Sequence, residues 1–254
     1  MLEKVVVTAS LGTFPGLAEA LAGLPLAVEE RPLLSFSPPS DWALVDVALD
    51  RLSLYGAVAF TSPRAAAAVA DRIALRKGPS GQRSSPPPVW AAGPATAAAL
   101  RDALGPVRLP AEQENAERGA AEALAAAMIA GHARGPVLFP CGETRREELP
   151  ERLRGEGIEV DEVVCYRSIL AAESAARAAA LHAAVLVVAS PSVAHLLSRA
   201  CPQDARPDLL AVGPSTAASA RSSGWYPAAV ASKPSAEAVA AAVRTIIAGR
   251  IPHE

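Results

Sequence analysis

The sequence predicts an α/β protein built on open, doubly wound parallel sheets. Three observations point there. Short β-branched runs alternate with alanine-rich amphipathic stretches along most of the chain. Several of the runs, VLVVA at 185–189 among them, are continuously apolar with no polar alternation. That pattern suits a strand covered by helices on both faces. Finally, the order of elements recurs once within the chain, as though it had been duplicated.

Taken in order, the strand candidates are Lys4–Thr8, Leu26–Glu29, Ala57–Thr61, Pro88–Ala92, Val107–Leu109, Val137–Pro140, Glu159–Val164, Val185–Ala189, Leu209–Val212 and Ala228–Val230. Helical patterns cover 64–76, 95–104, 116–131, 144–155, 191–200, 215–222 and 235–248. Strands alternating with helices imply parallel pairing through right-handed crossovers.

The recurrence is carried by three pairs of segments. AFTSPRAAAAVADRI at 59–73 is echoed by VASPSVAHLLSRA at 188–200, and WAAGPATAAALRDALG at 90–105 by LAVGPSTAASARSSG at 210–224. A weaker pair is VVVTASLGTFPGLAEALAG at 5–23 with VLFPCGETRREELPERLRGEG at 137–157. Each segment reads as a strand, a turn and a helix. About five strands per copy imply two domains. Glu30–Pro39, whose prolines 32, 38 and 39 favour an extended connector, and Cys165–Leu170 are the candidate crossings between them. Two crossings would interleave the domains, and one would make them simple halves.

Composition narrows the function. The chain is 51% hydrophobic and 20% charged, with a net charge of −2, which argues against a dedicated nucleic-acid or membrane-surface binder. The N-terminal apolar run is too short for a signal peptide, and no window resembles a membrane span. Cys141, Cys165 and Cys201 form no CxxC pair, so structural thiols in a reducing cytoplasm are expected. His132, His182, His195 and His253 lack ligand spacing, and no metal site is expected. Dinucleotide, P-loop, zinc-protease and hydrolase-elbow motifs are all missing. Glu147, Glu148 and Glu151 beside Arg145, Arg146 and Arg152 read as an exposed, ion-paired helix face.

The recurring SP and GP junctions carry the chemistry. Proline at the first helical position leaves free N–H groups and the positive dipole end at the carboxyl edge of the sheet. Ligands of open α/β sheets bind at that edge, and anions bind at helix starts. Thr61, Ser62, Gly93, Thr96, Ser190, Ser192, Gly213, Ser215 and Thr216 are therefore candidate binding residues for an anionic small molecule. The plainer reading of the hydroxyl residues is helix capping.

FTSPRAAAAV, AAGPATAAAL, LFPCGETRREELPERLRGEGIEVDEVVCYRS, ASPSVAHLL and AVGPSTAASARSSGW together resemble the uroporphyrinogen-III synthase family, in order over nearly the whole chain. The stretch from Arg146 to Tyr166 is the most specific part. The resemblance implies two flavodoxin-like doubly wound domains, internally duplicated and joined by a two-stranded linker. Domain 1 would hold residues 1–34 and 168–254, domain 2 residues 38–164, and 35–37 with 165–167 would be the linkers. It implies cofactor-free cyclisation of hydroxymethylbilane, a polycarboxylate tetrapyrrole. Separately, a monomer is the plain expectation, and transient contact with hydroxymethylbilane synthase is a further one that the sequence leaves open. Tyr166 matches the family's active-site tyrosine and is expected to assist loss of the terminal hydroxyl; a phenol keeps its proton at neutral pH. Arg146 is expected to bind a substrate carboxylate. Where the family usually has an arginine after the first strand, this chain has Ala9. That departure leaves room for a diverged, inactive paralogue. The rivals from other classes are a non-catalytic two-lobed ligand-binding protein and a nucleotide-sugar transferase.

Overall fold

The computed structural model describes residues 2–76, 87–111, 119–145 and 147–250. The chain divides into two compact units, one of Met1–Ser35 with Ile169–Glu254 and the other of Phe36–Ser168.

In the first unit β1 (Glu3–Val7), β2 (Leu26–Glu30), β9 (Val185–Val188), β10 (Asp208–Val212) and β11 (Ala229–Ala231) form one sheet in the order β11-β10-β9-β1-β2. All four pairings are parallel. Numbered within the unit this is 2-1-3-4-5, the flavodoxin-like doubly wound order. The alternation of a strand's side chains divides each apolar run between two cores. Val6, Leu186, Val188, Leu209 and Ala211 pack under helices Glu173–Ala180, Pro191–Ala200 and Pro214–Ser222. Val5, Val7, Val185, Val187, Leu210 and Val212 pack under Leu17–Ala20 and Ala236–Ala248. Continuous valine and leucine runs are what a strand buried on both faces requires.

The second unit holds β4 (Ala57–Phe60), β5 (Val89–Ala91), β6 (Val107–Arg108), β7 (Val137–Gly142) and most of β8 (Val160–Leu170), with β3 (Leu34–Ser37) on the outer side of β8. The order is β3-β8-β7-β4-β5-β6, and the pairings of β4 through β8 are parallel. One face packs Val58, Phe60, Leu138, Val163 and Cys165 against helices Ala43–Asp50, Pro63–Arg76 and Arg101–Leu104. The other packs Ala57, Ala59, Trp90, Phe139 and Val160 against Ala120–Ala130 and Glu148–Gly155.

Paired as the sequence echo pairs them, β4 with β9, β5 with β10 and β7 with β1, these strands hold the same places in the two orders. The burial of AAGPATAAAL, 91–100, also repeats residue for residue in AVGPSTAASA, 211–220.

Several elements escape sequence patterning. The extended connector expected over Glu30–Pro39 instead contains the end of β2 and all of β3, and Cys165–Leu170 is the last part of one long strand. Helices Ala43–Asp50 and Glu173–Ala180 are not among the expected elements. Both span only eight residues, too short for a helical period to stand out, and Glu173–Ala180 is apolar only through alanine. Helix 144–155 starts only at Glu148. The expected start of helix 116–131 lies outside the described residues, which show Ala120–Ala130.

Candidate functional site

Parallel strands end on one edge, so the junctions after β4, β5 and β7 share the carboxyl edge of the second unit's sheet. Thr61 and Ser62 follow β4. The Ser62 hydroxyl accepts from the amides of Arg64 at 3.2 Å and Ala65 at 3.4 Å, so it caps helix Pro63–Arg76. Gly93 and Thr96 follow β5 at the start of the five-residue helix Pro94–Ala98. Thr96 is buried, and Gly93 is extended, a conformation open to any residue.

The first unit presents an equivalent edge. Ser190 and Ser192 follow β9, their hydroxyls 2.9 Å apart. Ser190 is the N-cap residue of Pro191–Ala200, but its side chain makes no capping bond, unlike Ser62. The capping expected of it is absent, and its hydroxyl is engaged with Ser192 instead. Gly213 opens helix Pro214–Ser222 at φ 84°, a left-handed conformation that favours glycine. Ser215 is exposed and Thr216 buried. The structure thus gathers the expected binding residues into two groups, one on each unit's sheet edge. Arg146 lies outside the described residues.

Tyr166 belongs to the second unit, and a β-bulge decides where it points. Cys141 is opposite Val164 and Gly142 is opposite Tyr166, so Cys165 is an extra residue on β8. Before the bulge, even-numbered Val160 packs on one face and odd-numbered Val163 and Cys165 on the other. Strict alternation would return Tyr166 to the Val160 face. The extra residue reverses this, and Tyr166 packs with Cys165 on the Val163 face. Bulges beside functional sites re-aim side chains in this way. Gly142 accommodates the turned ring: a Cβ there would lie 2.6 Å from Tyr166 Cζ and 2.8 Å from its hydroxyl oxygen. The Glu143 amide donates to the Tyr166 carbonyl at 3.0 Å, closing the strand end.

Phe36, from β3, meets Tyr166 edge-on with ring centroids 6.0 Å apart. The Arg64 guanidinium lies over the Phe36 ring, 3.3 Å from its centroid. Burial pushes the Arg64 pKa down, with the nearby Tyr166 phenol acting in the opposite direction. Sequence patterns do not single out Gly142, Phe36 or Arg64. The only signal for Arg64 is its place in the SPR junction, two residues after Ser62.

Behind the loop after β7, Glu162 accepts from Arg145 and, at 2.7 Å, from Arg154. Its carboxyl is held below the ordinary range; burial opposes this but is outweighed by the two arginine hydrogen bonds. Arg152 pairs with Glu156 at 2.9 Å on the exposed helix face. Among the described residues there is no cluster of His, Cys, Asp and Glu that could hold a metal ion. No helix among them is long and apolar enough to cross a membrane.

The family model described as uroporphyrinogen-III synthase HemD matches residues 16–241. Among solved structures, the chain is similar to a mutant uroporphyrinogen III synthase from Thermus thermophilus, with TM-score 0.67 and 17% identity over 98% of this chain and 100% of that one. It is also similar to uroporphyrinogen-III synthetase from Helicobacter pylori, with TM-score 0.62 and 19% identity over 98% and 100%. At these identities the structural likeness bears on the fold. No curated protein sequence matches the chain significantly.

Proposed function

Because the chain belongs to the uroporphyrinogen-III synthase family, we propose that it closes hydroxymethylbilane to uroporphyrinogen III, with loss of water and inversion of the terminal ring. The observation that carries this reading is the placement of Tyr166. A bulge turns its phenol onto the face where the Ser62-capped helix begins, at the carboxyl edge of the sheet.

In this reading Tyr166 donates its proton to the terminal hydroxyl of the substrate. The carbon–oxygen bond breaks and water leaves. The neighbouring pyrrole nitrogen supplies the electron pair, forming an azafulvene, and its N–H proton returns to the phenolate. Attack through the substituted carbon of the last ring gives a spiro intermediate, which reopens and recloses inverted. The protein's main contribution is to hold the folded chain so that this route outruns direct closure. The candidates for the substrate's carboxylates are Thr61, Ser62, Gly93, Thr96 and Arg146 in one unit, and Ser190, Ser192, Gly213, Ser215 and Thr216 in the other, each set considered on its own sheet edge. Free amides at helix starts suit such groups. The protein would act as a cytoplasmic monomer that takes its substrate from hydroxymethylbilane synthase in transient contact.

The test is product analysis after hydroxymethylbilane, generated in situ, meets the purified protein with nothing else added. A dominant type III isomer is expected, and would show that an arginine in place of Ala9 is dispensable. Type I alone, from folded protein, would mean that the fold is retained and the activity is not.

A further inference from the structure

Arg64 is badly placed for every ordinary structural task. It is the second residue of helix Pro63–Arg76, where a cation opposes the helix dipole. The other arginines of that helix, Arg72 and Arg76, both pair with Asp46. Arg64 has no ion-pair partner among the described residues. Its guanidinium instead lies over Phe36, 3.3 Å from the ring centroid, and Tyr166 meets the same ring in a T-shaped contact. A cation over an aromatic ring is held in place there by attraction to the ring face. The guanidinium and the phenol ring thus share Phe36 as a common neighbour. Other charged residues adjoining Tyr166 are Glu143, at the end of β7, and Arg167, whose Nε donates to the Pro38 carbonyl at 3.2 Å.

We propose that Arg64 is the electrostatic partner of Tyr166: held over Phe36, it stabilises the negative charge that gathers on the phenol oxygen as the proton passes to the leaving hydroxyl. The proposal rests on the role of Tyr166 given above. Arg64 acts through Tyr166, and Phe36 fixes the distance between them. No additional reactant is needed, because the phenolate recovers its proton from the pyrrole N–H.

Two measurements test it. The first needs no substrate: absorbance titration of the tyrosines in folded wild type, Arg64→Gln and Tyr166→Phe, the last identifying the Tyr166 step. Removing the cation should move that step upward, and Arg64→Lys should recover part of the shift. An unmoved step overturns the proposal. The second is turnover. Arg64→Gln should lower kcat about ten- to a hundredfold with little change in KM, and should have no further effect in a Tyr166→Phe background. A rise in KM alone would make Arg64 a carboxylate-binding residue and overturn the proposal. So would an undiminished loss in the Tyr166→Phe background. Wild-type turnover in Tyr166→Phe itself would remove the tyrosine from the mechanism, and the titration would still show whether the two residues are coupled.

Discussion

Gly142 and Tyr166 compete for one space: a Cβ on Gly142 would stand 2.6 Å from the phenol ring and 2.8 Å from its oxygen. Gly142 has no positive φ, so a close approach and not a special backbone conformation requires glycine there. Gly142→Ala should displace the ring and lower turnover by about a hundredfold, as expected for a misplaced catalytic group. Overpacking should cost only about 1–3 kcal/mol of stability. Isomer analysis with a urea melt checks both, and full turnover in the variant would remove the glycine from the argument.

Ser62 and Ser190 separate capping from binding. Ser62→Ala should cost about 1 kcal/mol in stability, because two helix amides lose their acceptor. Ser190 caps nothing, so Ser190→Ala should leave stability within about 0.5 kcal/mol. It should instead raise KM if this edge meets substrate carboxylates. Equal stability losses in the two variants would make both residues caps.

The ion pairs of Asp46 should appear as an acid-sensitive contribution. The Arg72 hydrogen bond, opposed by partial burial and supported by Arg76, holds the Asp46 carboxyl at about 2. A carboxyl depressed on folding stabilises fully above its unfolded value, near ~4, and that contribution fades as pH falls toward about 2. Asp46→Asn should therefore cost about 1 kcal/mol at neutral pH, the scale of a partly exposed pair. Its urea midpoint should converge on that of wild type at about pH 2, and a gap unchanged with pH would refute the assignment.

The thiols should be silent until the protein unfolds. Burial pushes Cys165 up to about 12 and Cys141 up to about 11, and raises Cys201 as well. All three are buried, and the thiolate is the reactive form. A thiol reagent at neutral pH should label native protein slowly and all three sites after denaturation. Rapid native labelling of any one would contradict its burial.

The α/β class was legible in the sequence because both signals for it are local. A strand covered on two faces must be apolar at consecutive positions, as at 5–7 and 185–189. A helix that follows it tends to open with Ser-Pro or Gly-Pro, since proline needs no hydrogen-bond partner at that place. Identical burial at 91–100 and 211–220 shows how closely such short segments determine their own packing.

What surrounds Tyr166 was decided by tertiary structure alone. Prolines 32, 38 and 39 disguise β3 as a connector, because a strand flanked by residues without N–H groups reads as a turn until its neighbour β8 is known. The face taken by Tyr166 depends on a register shift between Cys141 and Gly142, set by pairing between strands far apart in sequence. Alternation read along β8 alone puts the phenol on the opposite face. Phe36 and Gly142 meet it, and Arg64 meets Phe36, for the same reason: they come from a helix start and two other strands, and only the folded sheet brings their ends together. A sequence declares the character of each element through local periodicity. Register and side-chain meeting points arise from long-range pairing, whose energy no single segment contains.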